Sequence, residues 1–551
     1  MMRQSNLLLV VTACLSLCCL SVPSTVHGAR RPNIVFILAD DLGIGDVHCY
    51  GGKRCLIDTP HIDALAAAGM RFTDAHVNAS ICGPTRRAIM TGRYNWRFGP
   101  TVRSGPWGFV GPRPNTETHT IGKLLKRAGY HTGYIGKWHL GTLMTTKDGK
   151  NQGLTNVDFS KPLKYGPQQF GFDESFILPG SLDMYPYAFA RNHKWQGEVT
   201  AQKGWSAFHR VGPAEKDFQD HQVLETFYQE SEAYLQQRTT DQPFFLFLAL
   251  TAPHTPTSPG AAWRGKSQLG VYGDFVMEVD HAVQRVTAAL KRHGFEQNTL
   301  VLFSSDHGPA PYAGNILKAT PGQIQQLEQQ GHYPAGPYRG YKFSIYEGAL
   351  RVPLIARWPG VIPAGSTCES LVGLCDLFAT FAELTNQQTG NTTAPDSISF
   401  APLLTNPQTP GRRTNLIMES TMNFAVREGK WKLCLTPSCG MPAEFEHGVG
   451  NVPTPRVAWQ QALQAFGGPP SENDLLKAPF VQLFNLDEDP HEDRNLASRH
   501  PERVQQMVRL LQDQIARGRS TPGPKLKNDK SVRIVNLQDR RLPEFVRNGI
   551  K

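Results

Sequence analysis

The chain has 551 residues, 40% of them apolar and 19% charged, with a formal net charge of +10. That length calls for more than one packed unit, and the composition excludes a disordered, collagenous or coiled-coil protein. Half of the positive excess lies after Ser520, where eight Lys/Arg face three Asp/Glu, and no helix-turn-helix, zinc-finger or aromatic RNA-binding signature accompanies it, so nucleic acid is not an expected partner.

Residues 1–28 read as an export signal. Arg3 gives a basic start, residues 7–20 an apolar stretch, and Val26-His27-Gly28 a cleavage site before Ala29. A periplasmic or secreted product is therefore expected. Val11-Thr12-Ala13-Cys14 also fits the loose pattern before a bacterial lipoprotein cysteine, which leaves anchoring at Cys14 open. No later run approaches the ~18 apolar residues that span a bilayer.

Residues 33–39 form a continuous apolar run of strand length. Thr59-Pro60 opens a helix expected to run to Met70, with Thr59 as N-cap and Pro60 in the first turn. Residues 120–128 read as a helix ended by Gly129, residues 134–136 as a short strand, and residues 244–250 as a buried strand. Val276, Val279, Val283, Val286 and Leu290 recur at helical spacing over 274–293, and residues 299–303 form another strand. Apolar strands alternating with amphipathic helices predict an α/β sheet covered on both faces.

The stretch 391–413 is rich in Pro, Thr and Asn and reads as a boundary. Beyond it, 415–419, 424–427 and 431–434 read as antiparallel strands, and 504–515 as a helix, giving a smaller C-terminal α+β unit. The expected organisation is 29–400, 401–519 and a basic, extended tail over 520–551.

The chemistry-bearing residues cluster at predicted strand ends. Asp40-Asp41 follows the first strand, and adjacent carboxylates there repel unless a hard cation compensates them. Asp306-His307-Gly308 repeats the pattern. Three carboxylates and one imidazole favour Ca²⁺ or Mg²⁺, although Zn²⁺ also accepts His and Asp. Open α/β sheets place ligands at such ends. Lys137 and His139 follow another strand, with alternating positions that project to one face. His254 ends a third, and Lys342 lies in a glycine-rich turn. Trp96, Arg97, Arg103 and Trp107 read either as an aromatic-basic platform for an anionic sugar or as core, and residues 310–339 as a second candidate rim.

Together these stretches resemble the type I sulfatases of the alkaline-phosphatase-like superfamily. The resemblance rests on Pro32-Asn33-Ile34-Val35 through Gly43, Thr59-Pro60-His61-Ile62-Asp63, Cys82-Gly83-Pro84-Thr85-Arg86 through Gly92, and Gly136 to Gly141. It continues through Ala252-Pro253-His254, Ser305-Asp306-His307-Gly308, Lys342 to Gly348 with Arg351-Val352-Pro353, and Leu483-Phe484-Asn485-Leu486-Asp487-Glu488-Asp489-Pro490. It implies a large mixed sheet with helices on both faces and a smaller C-terminal antiparallel sheet.

It further implies that Cys82 is the precursor of formylglycine, made by a formylglycine-generating enzyme. Asp40, Asp41, Asp306, His307 and the modified residue would hold one Ca²⁺, Mg²⁺ being the lesser alternative; many relatives carry Asn where His307 stands. Arg86 would orient the hydrated aldehyde, Lys137, Lys342 and His254 would bind sulfate, His254 or Lys342 would protonate the leaving oxygen, and His139 would act on the hydrate. The implied reaction is hydrolysis of a sulfate monoester, expected of a sulfated carbohydrate. A formylglycine-dependent phosphonate or phosphate ester hydrolase and an inactive glycan-binding relative are the competing readings.

Seven cysteines follow the leader, six if Cys82 is modified. Proximity makes Cys49–Cys55, Cys368–Cys375 and Cys434–Cys439 thinkable disulfides in an exported protein.

Overall fold

Ten strands form one mixed sheet in the computed structural model, which describes residues 31–99, 109–113, 115, 117–204, 210–312, 323–420, 423–439, 478–534 and 543–547. Their order is β13 (Ser366–Cys368), β2 (Met70–Phe72), β12 (Leu354–Arg357), β11 (Thr299–Ser305), β1 (Asn33–Asp40), β10 (Phe244–Pro253), β4 (His131–Lys137), β5 (Glu174–Leu178), β6 (Ala190–Arg191) and β7 (Lys194–Trp195). The central strands β11, β1, β10, β4 and β5 run parallel, and β12 and β6 flank them antiparallel. Two short pairs, β3 (Ala75–His76) with β14 (Val372–Gly373) and β8 (Ala201–Lys203) with β9 (Gly212–Ala214), lie apart from it.

The near-continuous apolar character of β1 and β10 follows from burial on both faces. Ile34, Phe36 and Leu38 enter one core with Phe245 and Phe247, while Val35, Ile37 and Ala39 enter the other with Leu246 and Leu248. Helices Pro60–Ala67, Val223–Gln236 and Gly270–Arg292 cover the second face. Helices Cys82–Thr91, Ile121–Arg127 and Leu377–Leu384 cover the first.

A separate four-stranded antiparallel sheet runs β15 (Asn415–Glu419), β16 (Phe424–Glu428), β17 (Trp431–Leu435), β18 (Val481–Asn485). Helix Pro501–Arg517 packs with it through Val504, Met507 and Leu511, and their side chains share the first core with the large sheet.

Local expectations change in three places. The helix after Thr59 ends at Ala67, and Met70 begins β2, because the chain turns at Gly69 so tightly that a Cβ there would meet the Ala356 carbonyl oxygen at 2.3 Å. Thr59 does not cap that helix with its side chain; Asp280 of the neighbouring helix accepts from the amides of His61 (2.9 Å) and Ile62 (2.7 Å) instead. None of the three thinkable cysteine pairs is a disulfide. Asn78, which heads a glycosylation sequon, is buried and donates to the Ile417 carbonyl at 3.0 Å.

The tail beyond Ser520 returns to the large sheet's side of the molecule, where Asp529 pairs with Arg93 at 2.7 Å. No helix among the described residues is long and apolar enough to cross a membrane. The leader, including Cys14, lies outside the described residues.

Candidate active site

Because β1, β11, β10 and β4 are parallel neighbours, their C-terminal ends share one edge of the sheet. Asp40 ends β1 and Asp41 follows it; Asp306 and His307 follow β11; Lys137 ends β4, with His139 two residues on; His254 follows β10. Cys82 is the first residue of the helix Cys82–Thr91, where backbone amides and the helix dipole favour an anion. Lys342 reaches the same edge from the turn before Glu347. All ten, counting Arg86, are buried.

Two close backbone approaches make this convergence possible. A Cβ on Gly136 would sit 1.8 Å from the Ala249 carbonyl oxygen, so only glycine lets β4 lie against β10 beside Lys137. A Cβ on Gly308 would sit 1.9 Å from the Gly348 oxygen, where the His307 turn meets the segment after Lys342.

Cys82 Sγ lies 3.2 Å from His307 Nε2 and 3.9 Å from Asp41 Oδ1. His307 Nε2 is 3.2 Å from Asp41 Oδ1 and 3.6 Å from Asp306 Oδ1. Ligand atoms of Asp40, Asp41, Cys82, Asp306 and His307 all fall within 4.8 Å of one another. Arg86 crosses the cluster: Nε donates to Asp306 Oδ2 (3.0 Å), Nη1 to the Lys137 carbonyl (3.3 Å), and Nη2 lies 3.4 Å from Asp40 Oδ1. Lys137 Nζ donates to Asp40 Oδ2 at 2.5 Å, and Lys342 Nζ to both oxygens of Asp41 at 2.8 and 2.9 Å. His254 Nε2 stands 3.8 Å from Asp41 Oδ2.

The electrostatics follow from this packing. Burial works to raise the Asp40 carboxyl, but Lys137, His254 and Arg86 outweigh it and hold it well below the ordinary carboxylate range. Burial and the Asp40 charge raise Asp306. Burial pushes the Cys82 thiol up, so the unmodified residue is not a thiolate nucleophile. Burial lowers His307 to about 3 and, with Lys137 and Arg86, holds His139 well below the usual imidazole value; both rings are neutral. His307 Nδ1 donates to the Gly308 carbonyl (2.9 Å), which leaves the Nε2 lone pair facing the cluster.

Asp41 (φ 65°) and His139 (φ 54°) occupy the left-handed region, a strain that persists only where surroundings enforce it.

The donor set fits a hard divalent cation: three carboxylates and a neutral imidazole converge, and the buried Asp40 Oδ1 accepts no hydrogen bond.

Trp96 is not a sugar platform. It is 3% exposed, packs edge-on against Phe424 of β16, and is covered by the Arg97 guanidinium at 4.1 Å. Arg97 is itself buried in a two-pronged ion pair with Asp396 (2.8 and 2.9 Å). Arg103, Trp107 and residues 313–322 of the second candidate rim lie outside the described residues.

Sequence reasoning passed over Asp183, in the loop after β5. Burial works to raise it, and His254 and Arg210 outweigh that; Arg210 Nη1 stands 3.3 Å from Asp183 Oδ2. Its only signal was position, after a strand too short to be recognised.

The chain is similar to known proteins over most of its length. The Sulfatase family model matches residues 32–387. An N-acetylgalactosamine-6-O-sulfatase of Bacteroides thetaiotaomicron is 29% identical over 529 residues, covering 88% of this chain and 93% of that protein. An N-acetylgalactosamine-6-sulfatase of Sus scrofa is 30% identical over 484 residues, covering 85% of this chain and 82% of that protein. A solved structure from work on the metabolism of multiple glycosaminoglycans by Bacteroides thetaiotaomicron aligns with a TM-score of 0.73 at 27% identity, over 88% of this chain and 99% of that one.

Proposed function

The chain belongs to the sulfatase family and is a sulfuric ester hydrolase; from that premise we propose that it removes 6-sulfate from N-acetylgalactosamine in a sulfated carbohydrate, using formylglycine made from Cys82 and one divalent cation. The observation that carries the mechanism is the position of Cys82 Sγ, 3.2 Å from His307 within a ring of carboxylates. The two relatives named for N-acetylgalactosamine 6-sulfate support the substrate.

Asp40, Asp41, Asp306 and His307, with position 82, would hold the cation, Ca²⁺ in preference to Mg²⁺. When bound, it supplies positive charge against the sulfate oxygens and against charge developing at position 82. Formylglycine, once hydrated, supplies two geminal hydroxyls, one to attack sulfur and one whose deprotonation releases sulfate. A formylglycine-generating enzyme is the required partner, and residues 1–28 are proposed to export the product.

The chain's own residues do the rest. Lys137 and Lys342, each already held on a carboxylate, offset the charge of the bound sulfate and orient it. Arg86 fixes Asp306 while tying the end of β4 to the cluster. His254 donates from Nδ1 to the Thr255 carbonyl (2.5 Å), which turns Nε2 toward Asp41 and the cluster, the atom from which the leaving sugar oxygen would be protonated; Lys342 is the alternative donor. His139, neutral and buried beside Lys137, takes a proton from position 82.

The test is sulfate released by the matured protein from defined oligosaccharides ending in N-acetylgalactosamine 6-sulfate or 4-sulfate, alongside aryl phosphate and aryl phosphonate. Preference for the 6-sulfate is expected. Preference for a phosphorus ester would overturn the reaction, and preference for another sulfated sugar would overturn the substrate.

A further inference from the structure

Lys342 stands on a turn whose shape is enforced from outside. Phe343, the next residue, has φ 74°, a region that an aromatic side chain occupies only under constraint. The Phe343 amide donates to the Ser80 carbonyl (2.9 Å), two residues before Cys82.

The remaining constraints come from the C-terminal sheet and the segments beside it. The Ile345 amide donates to the Cys439 carbonyl (2.8 Å), the Tyr346 hydroxyl to Gln482 Oε1 on β18 (2.9 Å), and the Glu347 amide to Glu492 Oε2 (2.6 Å). Lys432 Nζ on β17 bridges Glu347 Oε1 (3.0 Å) and Glu492 Oε1 (2.9 Å), with all three side chains fully buried. Glu492 is also left-handed, at φ 62°.

The other oxygen of Glu347 is taken by His76 Nε2 (2.8 Å) and Arg351 Nε (2.8 Å). Asp74, His76 and Glu347 thus lie within ligand distance of one another, but Arg351, Arg427 and Lys432 already face their oxygens, which makes the cluster an internal ion network.

Burying such a network costs more in desolvation than apolar packing would, so stability alone does not explain it. We propose that Lys432 and Glu492 are positioning residues. They lock the 340–347 turn onto the C-terminal sheet and so fix the Lys342 ammonium against Asp41. The proposal rests on the reading of Lys342 as a sulfate-binding group. It gives the C-terminal sheet a share in binding sulfate without touching it.

The test is a double-mutant cycle on matured full-length protein, with kcat and KM for an aryl sulfate measured for Lys432→Met, Lys342→Met and the pair. Lys432→Met should lower kcat/KM by about 10- to 100-fold, the effect of displacing a binding group by about 1 Å. The double variant should be no worse than Lys342→Met alone. Losses that multiply would show a merely structural role and overturn the proposal.

Tyr346→Phe removes one hydroxyl at nearly constant volume and carries the same expectation, with a smaller loss, should Lys432→Met not fold. Hydrogen exchange over 340–348 reads the turn without turnover: it should quicken in both variants while β1 and β11 stay as in the parent. Unchanged exchange would overturn the positioning even in an active enzyme. A parent protein that hydrolyses no sulfate ester would instead sink the proposed function, leaving exchange to decide the role of Lys432.

Discussion

Replacing Arg86 by methionine keeps most of the side-chain volume but removes a cation that touches two of the cluster's strand ends and a third strand's backbone. The guanidinium donates to Asp306 and the Lys137 carbonyl and lies 3.4 Å from Asp40, all without solvent contact. Removing one partner of a buried ion pair costs about 3–5 kcal/mol. The lower end is expected here, because Lys137 still pairs with Asp40. Arg86→Lys retains the charge but has one point of attachment for three, and should cost about 1–3 kcal/mol through groups left unsatisfied. Urea unfolding followed by tryptophan fluorescence, with EDTA present so that no cation contributes, gives the comparison directly. The expected order of stability is parent, Arg86→Lys, Arg86→Met, with kcat/KM for an aryl sulfate falling in both variants. An Arg86→Met protein as stable and as active as its parent would refute the argument that this guanidinium organises the cluster.

Lys137→Met should lower kcat by about 100- to 1000-fold, the scale for losing one transition-state charge donor, and steady-state kinetics on an aryl sulfate would read it. Trp96→Ala should cost about 3–5 kcal/mol in denaturant unfolding, as for a core aromatic, while leaving KM for a sulfated oligosaccharide unchanged; a raised KM at parental stability would restore the platform reading. Burial pushes Glu278 up to about 8, against a backbone hydrogen bond from Gly260 that lowers it. The folded state therefore holds a proton that the unfolded chain has lost between about pH 4.5 and about pH 8. This group's contribution to stability falls as pH rises through that window, by at most about 1.4 kcal/mol per unit. Glu278→Gln should flatten the pH profile of urea midpoints there, and an unchanged profile would refute the assignment.

Much of the site was legible because its residues occupy the ends of strands that read clearly as apolar runs. Asp40-Asp41 and Asp306-His307 are separated by more than 260 positions, yet parallel neighbours β1 and β11 must bring their ends together. The Cys82 stretch carried its own signal in the glycine, proline and arginine spacing. What the sequence hid were partnerships set by tertiary packing. Trp96 and Arg97 look the same whether they face sugar or core, and the deciding partner, Asp396, lies 299 residues away. The Lys432–Glu347–Glu492 network has no local pattern, since each residue alone reads as a surface charge. Cysteine spacing misled because neighbours in sequence here occupy different elements, as Cys368 on β13 and Cys375 beyond β14 do. The outer strands β2, β6 and β7, of two or three residues each, are too short to show periodicity.

The most direct measurement pairs the mass of the peptide carrying position 82 with sulfate release from the same preparations, matured to different extents by a formylglycine-generating enzyme. Sulfate release is expected to rise in proportion to the fraction of position 82 present as oxoalanine and to vanish in Cys82→Ala. Turnover that does not track that fraction, or that survives in Cys82→Ala, would contradict the assignment of Cys82 as the source of the nucleophile.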